Sequence, residues 1–564
     1  MKPLPKYRRL HNSRGYRAGK DENGKRKIKI KSNRLPRHEE RPRVKRFGFP
    51  DALPNCTPGT LATCDPKVQL DWVADRLRHW EEIYIGLRRI PNREKSSPHF
   101  AALSRPGAGV FLKAVELVSA VVTAQACGSY GVPRVHVEII YAYELQELPD
   151  VDPQVVSKLL EDGLAETLVE YKEYAGRMSS DSNGRPVIAL DGQGAAWFDA
   201  EANIAWRDLM PFPPGHDILQ LVPPNRGAEE LLLVQFTRFT CGGFTLGIAR
   251  HHQVADGEGV GMFMDAWVSA VRQQIGTVLG IARHLQEAEG DGVGKFTDRG
   301  VSAVRRKSIQ SPLHDRSALM ARDPPQPTFE HVEYKRPPPL PEADQPVDYP
   351  PLSIKKLHFT KELLDKLKTE AMKDLEEGSY FTTFESLAAH LWRCITRARG
   401  LTGEVRSKAI VAVNGRTRLE KKLPDNYFGN VIFHACAESC VGDLTEKPLS
   451  YAAGIMRKSI RRVDNEYILS ALDFVEIRQQ HPGPVARTHR TVLSPNVSIT
   501  SWVQQPLYKT DFGWGAPLFV GPPLVPFEGL LILIPSHTQD GSIDAVTGLF
   551  APDMEKLESY AFEI

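Results

Sequence analysis

From residue 290 to residue 351 the chain is rich in proline, glycine and charge, and every position from Pro337 to Pro341 except Leu340 is proline. Proline lacks the amide hydrogen that helices and central strands need, so no packed element is expected to run through this stretch. It reads as a long surface crossover that divides the text into two halves. Each half mixes segments of period two with segments of period 3.6, the pattern of a mixed α/β fold. Before the break, residues 135–143, 186–190, 230–239 and 244–249 have strand character. Residues 152–171 and 261–274 carry apolar side chains at helical spacing. After it, residues 357–359, 409–413, 530–534 and 543–549 read as strands, and 363–375 and 384–399 as helices. No fixed-period repeat is evident.

Charge separates a further segment. The chain as a whole holds 72 Lys/Arg against 69 Asp/Glu, which does not mark a nucleic-acid binder. Residues 1–50, however, hold 18 Lys/Arg against 4 Asp/Glu, with few apolar residues and no period. They read as a disordered, solvated basic extension, and no nucleic-acid partner is expected, because no folded nucleic-acid module follows. Seven cysteines are too sparse for a disulfide scaffold and fit a reducing compartment, so the expected location is the cytoplasm. No run of about 18 uncharged apolar residues is present, so no membrane span is expected. The basic N-terminus has no apolar segment after it and is not read as a secretory signal. Cys436 and Cys440 have no second pair at zinc-site spacing, and no metal is expected.

Two short motifs carry the chemistry. The first is His251-His-Gln-Val-Ala-Asp-Gly257. The apolar run before it delivers His252 to the end of a buried strand, and Gly257, Gly259 and Gly261 allow a sharp entry into the next helix. A histidine there can act as general base, since its ordinary pKa of about 6.5 leaves it largely neutral at physiological pH. Asp256 is suited to fixing the loop through a salt bridge, and His251 is the rival base. The second motif is Asp511-Phe-Gly-Trp-Gly515. Gly513 and Gly515 frame a tryptophan in what reads as a tightly packed turn, with Asp511 available for an ion pair. The nucleophile elbow G-x-S-x-G, the zinc motif H-E-x-x-H and a complete Walker loop are absent.

Together, in this order and at this separation, the two motifs resemble the HxxxD and DFGWG signatures of the plant BAHD acyl-CoA-dependent acyltransferases. The resemblance runs over about residues 133–564. It also takes in residues 168–178, 384–392, 427–431 and Asn414-Gly-Arg-Thr-Arg418, where Asn414 stands in place of the family's usual aspartate. Within the family the text is most similar to the hydroxycinnamoyl-CoA:shikimate/quinate hydroxycinnamoyltransferases, through residues 315–325, 329–334, 449–454 and 470–473. Other blocks resemble the cereal agmatine and putrescine N-hydroxycinnamoyltransferases. The resemblance implies an α/β fold of two similar mixed-sheet, chloramphenicol-acetyltransferase-like domains. These would be residues 133–300 with HxxxD and 351–564 with DFGWG, joined by a crossover at 301–350 and preceded by an unmatched, largely disordered basic extension at 1–132.

The resemblance also implies a reaction. A coenzyme A thioester is the co-substrate, with no resident cofactor, and a hydroxycinnamoyl group passes directly to the hydroxyl of a shikimate- or quinate-like acceptor. An amine such as putrescine, agmatine or tryptamine is the alternative acceptor. His252 would be the general base and Trp514 the oxyanion donor through its indole N–H. Asp256, Gly257, Asp511, Gly513 and Gly515 would be structural. Arg487, 13 residues before Thr500 in Ile499-Thr-Ser-Trp502, would hold the acceptor carboxylate together with Thr500. Thr382 and Thr383 would contact coenzyme A. The protein is expected to be a monomer. One departure cuts against activity. Residues 1–132 do not match the strand and loop with which the family opens, so an inactive relative is the further alternative.

Overall fold

A computed structural model describes residues 30–32, 121–123, 135–145, 153–181, 186–289, 311–334, 350–375, 380–480 and 493–564. Its strands are numbered in chain order. β1 (Ile30–Ser32), β2 (Val121–Thr123), β3 (His136–Tyr143), β4 (Arg177–Ser180), β5 (Pro186–Ala189), β6 (Ala196–Ala202), β7 (Leu232–Phe239) and β8 (Phe244–His251) precede the crossover. β9 (Leu352–Phe359), β10 (Arg406–Asn414), β11 (Ile432–Cys440), β12 (Val497–Ser501), β13 (Phe519–Gly521), β14 (Leu530–Pro535) and β15 (Ile543–Phe550) follow it. The principal helices are α1 (Pro153–Glu170), α2 (Gly257–Glu289), α3 (Lys361–Met372), α4 (Thr383–Ala398), α5 (Leu449–Arg462), α6 (Asn465–Gln480) and α7 (Ala551–Tyr560).

Two six-stranded mixed sheets organise these elements, in the orders β1-β6-β7-β8-β3-β13 and β11-β10-β12-β14-β15-β9. A smaller sheet joins β2, β5 and β4. The second sheet shows why its residues fold as they do. Ala409, Val411 and Val413 of β10 and Phe433, Ala435 and Ala437 of β11 fall on one face, as period two requires. That face packs under α3, α4, α5, α6 and α7 to form the larger core. α4 starts cleanly because Thr382 and Glu385 form a reciprocal capping box.

The other face of this sheet looks toward the first half. Ile532, Ile534 and Val546 belong to the core built on Phe244, Leu246 and Ile248 of β8 and on Leu160, Leu164, Trp267 and Val271 of α1 and α2. One apolar core therefore runs through both halves. A strand crosses with it, because β13 pairs antiparallel with β3 at the edge of the first sheet. The two mixed-sheet halves are thus joined by a shared core and a crossing strand.

The basic extension contributes two short strands among the described residues. β1 pairs with β6 and β2 with β5, both antiparallel. The remainder of residues 1–134 lies outside the described residues. The crossover, expected as open linker, is tied down over residues 311–334. Leu313 bridges to Tyr427, and Asp473 of α6, itself fully buried, accepts from the Arg322 amide at 2.7 Å, the Arg322 guanidinium at 2.7 Å and the Gln326 amide at 2.9 Å.

Candidate active site

β8 runs between β7 and β3, and its even-numbered residues Phe244, Leu246 and Ile248 face the core shared by the two halves. His252 continues that alternation one residue past the strand. Its amide donates to the Val135 carbonyl at 3.0 Å, and its own carbonyl accepts from the Asn430 side-chain amide at 3.1 Å. Hydrogen bonds to its main chain from both halves therefore fix where the ring sits. The ring Nδ1 is buried with no partner on another described residue, and the ring interacts with its own main chain. Burial, and next the nearby charge of Arg250, push the His252 pKa down to about 4, so the imidazole is a free base at neutral pH. His251 belongs to the opposite alternation. Its ring meets the edge of His136 at 5.4 Å, beside a sheet neighbour rather than the second half.

Asp256 closes the loop after His252 and precedes the first turn of α2. Its Oδ1 accepts the Gly259 amide at 3.1 Å, the geometry of a helix N-cap. The same carboxylate receives the Val431 amide at 2.8 Å and both Arg416 terminal nitrogens, at 2.7 and 3.1 Å. Val431 and Arg416 belong to the second half, so Asp256 fastens the loop carrying His252 to the opposite sheet. Its oxygens are fully engaged, which leaves it no part in proton transfer. Asn414, where the family has aspartate, donates to Glu258 at 2.6 Å and accepts the Arg416 amide at 3.0 Å. An aspartate there would face Glu258 with like charge. The substitution leaves the Asp256–Arg416 pair intact.

Gly257 lies close to the end of the Gln505 side chain. A Cβ on it would lie 1.9 Å from Nε2 of Gln505. That contact sets the segment following β12 against the start of α2, beside the His252 loop. Thr500 stands in β12 opposite Ile532, on the face turned away from the helical core and toward the first half. His434 of β11 lies on the same face, since its neighbours Phe433 and Ala435 point into the helical core. Burial pushes its pKa down.

The second motif lies elsewhere. Asp511 anchors its own turn. Its Oδ1 accepts the Gly513 and Gly515 amides at 2.8 and 3.0 Å, Arg272 of α2 donates to its carbonyl at 2.6 Å, and the Arg272 guanidinium pairs with its Oδ2. Gly513 and Gly515 have φ of 121° and 105°, a region open to glycine. Trp514 is buried edge-on against Phe244 at 6.0 Å and stacked on Phe512. Phe244 and His252 are eight residues apart on an extended chain, roughly 26 Å at strand rise. Arg272 lies fifteen residues along α2 from Gly257, about 22 Å at helical rise. Both measures put the Trp514 turn at the far end of the core from His252. Trp514 lies in the core shared by the two halves, its indole Nε1 buried without a hydrogen-bond partner among the described residues.

The remaining sequence candidates fall differently. Thr382 has its hydroxyl oxygen occupied by the Glu385 amide at 3.2 Å in the capping box, a structural use of a residue expected to meet coenzyme A, and Thr383 is the first residue of α4. Arg487 lies outside the described residues. Arg416, Asn430, Arg250 and His434 went without a role in the sequence reading. Arg416 stood in a recognised block, but only the fold reveals its partner. No helix among the described residues is long and apolar enough to cross a membrane, and no group of three or more metal-ligating side chains is found among them.

One arrangement away from His252 has the outline of a nucleophilic relay. Ser470 Oγ lies 2.9 Å from His331 Nε2, and His331 Nδ1 lies 2.9 Å from Glu333 Oε1. Ser470 already accepts the Thr328 and Phe329 amides at 2.9 and 3.0 Å, and all three side chains are shut off from solvent. With its lone pairs taken, this serine fastens the crossover and cannot serve as a nucleophile.

Comparison with known proteins agrees with this geometry. A family model described as the Transferase family matches residues 130–563. Shikimate O-hydroxycinnamoyltransferase of Nicotiana tabacum is 34% identical over 442 residues, covering 77% of this chain and 93% of the relative. Agmatine coumaroyltransferase-1 of Hordeum vulgare is 33% identical, covering 76% and 90%. A hydroxycinnamoyl-CoA:5-hydroxyanthranilate N-hydroxycinnamoyltransferase, HHT1 of Avena sativa, is 33% identical, covering 77% and 93%. Among solved structures, vinorine synthase superposes with a TM-score of 0.55 at 18% identity, over 80% of this chain and 96% of its own. F. graminearum TRI101, solved with coenzyme A and T-2 mycotoxin, gives 0.56 at 18%, over 78% and 96%. These two structures share the fold.

Proposed function

Because the chain belongs to the Transferase family, the BAHD acyl-CoA-dependent acyltransferases, we propose that it moves a hydroxycinnamoyl group from its coenzyme A thioester to the hydroxyl of a shikimate- or quinate-like acceptor. The observation that carries this is His252, a buried imidazole whose pKa burial pushes down to about 4, on a loop whose main chain is hydrogen-bonded from both halves. His252 takes the hydroxyl proton as the oxygen attacks the thioester carbonyl. The tetrahedral intermediate collapses with cleavage of the carbon–sulfur bond. The proton on His252 passes to the departing thiolate, giving free coenzyme A and leaving the histidine as it began.

No enzyme nucleophile takes part, so rate enhancement rests on holding both substrates, which can be worth about 7–11 kcal/mol, and on the base, typically 10²–10⁴ in rate. Asp256 and Arg416 hold the loop. Arg487 and Thr500 bind the acceptor carboxylate in this scheme, and the protein acts in the cytoplasm.

An amine acceptor is the second possibility, favoured by relatives of similar identity whose names give agmatine and 5-hydroxyanthranilate as acceptors. The experiment is an assay of the full chain with p-coumaroyl-CoA and a panel of shikimate, quinate, agmatine, putrescine and 5-hydroxyanthranilate, following free thiol. Thiol release that depends on shikimate or quinate supports the proposal, and release that depends only on an amine replaces it with the second possibility. His252→Ala should lower kcat by about 10²–10⁴, with His251→Ala near the parent rate. The reverse pattern would move the base to His251.

A further inference from the structure

Between the crossover, β11 and the place where α5 ends and α6 begins lies a cavity of about 110 Å³ that the mechanism above does not use. Four charged side chains line it: Glu330 and Glu333 of the crossover, and Lys458 and Arg462, four residues apart on α5. Val332 and Val463 give it apolar wall. The Cys436 thiol also lines it, and burial pushes its pKa up to about 11, so it adds no charge at neutral pH. At about 30 Å³ per water the space holds a few waters or a compact ligand of that size.

Glu333 marks the closed end, since its side chain has no solvent exposure. Its Oε1 accepts from the Tyr467 hydroxyl and lies 2.9 Å from His331 Nδ1, whereas Oε2 is buried without a hydrogen-bond partner among the described residues. A buried carboxylate oxygen left bare costs free energy that a donor from a ligand would recover. Lys458 and Arg462 are exposed and mark the mouth. The Arg462 guanidinium lies over the Phe329 ring at 5.5 Å and the Tyr467 ring at 5.4 Å, which places it by its face and leaves its N–H groups to bind an anion. Neither cation is paired with a carboxylate among the described residues.

The arrangement selects by charge. A simple anion would meet Glu333 at the closed end, and a simple amine would meet Lys458 and Arg462 at the mouth. A molecule that carries both charges suits both ends, and the four lining charges cancel, so a ligand of no net charge leaves the site balanced. We infer that this cavity is a binding site for a small zwitterion of the amino-acid class, its ammonium toward Glu333 and its carboxylate toward Lys458 and Arg462. Because Glu333 also holds His331 and Tyr467, the bound zwitterion ties the crossover to α5 and α6. The site stands independently of the reaction proposed above.

The test is isothermal titration calorimetry of the full chain with L-alanine and γ-aminobutyrate as zwitterions, and with acetate and methylamine as their separate halves. At least one zwitterion should bind at one site per chain, and each half should bind about tenfold more weakly or less. Lys458→Gln with Arg462→Gln, both at the exposed mouth, should weaken zwitterion binding by about tenfold or more. Glu333→Gln, which keeps the shape and removes the charge, should do the same, and if that variant does not fold the pair at the mouth decides. Saturating p-coumaroyl-CoA, and separately His252→Ala, should leave the affinity as it was. No binding of either zwitterion at about 10 mM, halves that bind as well as the whole, or an affinity unchanged in the double variant at the mouth overturns the inference. Displacement by p-coumaroyl-CoA also overturns it, by assigning the binding to the His252 site. Loss of acyl transfer activity in the assay above, with zwitterion binding intact, would sink that reading and leave this one standing.

Discussion

Asp256 accepts four hydrogen bonds from groups spread over both halves of the chain and is 1% exposed. The HxxxD signature thus joins a chemical residue to a mechanical one four residues further along the same loop. The histidine needs an open nitrogen, and the aspartate needs all of its lone pairs filled. Removing one member of such a buried pair strands the other, which typically costs about 3–5 kcal/mol. Asp256→Asn should accordingly lower stability by that order in denaturant unfolding. Combining it with Arg416→Met should restore part of the loss, because no cation is then left bare. Full additivity of the two changes would show that they do not act as a pair. The likeness of residues 414–418 to a family block pointed to this region, yet nothing in one dimension says that Arg416 and Asp256 meet. They are 160 positions apart.

At the scale of elements, the two signatures sit at opposite ends of one buried strand, and the second also meets one helix near its middle. The loop after β8 carries His252, and the turn at 511–515 packs near the start of β8 and against Arg272 of α2. Trp514→Phe tests the distinction. A packing role predicts a modest loss of thermal stability with kcat within a few-fold of the parent. An oxyanion donor would lose about 10²–10³ in kcat. The crossover gives a second prediction. Asp473 collects three donors from residues 322–326, so Asp473→Ala leaves them unsatisfied. Limited proteolysis should then cut within 311–334 at protease levels that spare the parent. Most strands and helices were legible from periodicity, including β8, α1 and α4. β11 was not, although its burial alternates without a break, because Ala, Ser and Cys supply too little hydrophobic contrast to be seen. α2 begins at Gly257, four residues before the periodic text that announces it, because the Asp256 cap and not hydrophobicity sets its start.

For the whole molecule, the two mixed-sheet halves expected from the sequence are present, and they share one core. β13 comes from the second half and completes the edge of the first sheet, and Phe428, Trp502, Phe512, Trp514 and Val520 fill a core built around β8 and α2. Residues 1–300 produced alone should therefore expose that core. Dye binding and a broad, non-cooperative thermal transition are expected, against one cooperative transition for the full chain. A folded, cooperative fragment would show that the halves are independent. The two short strands β1 and β2 also tie parts of the extension to the described fold. Removing residues 1–130 should lower the melting temperature, and an unchanged value would make those pairings dispensable.

By itself the sequence settled which segments alternate at which period, where the chain breaks into halves, and which histidine-bearing loop resembles a known signature, because those are local properties of spacing and turn chemistry. The fold decided which of two adjacent histidines turns toward the second half, that the tryptophan of the distant turn is buried in the core the halves share, and that Asp256 is an inter-half tie. Each of those depends on strand alternation, rise and pairing accumulated across hundreds of residues.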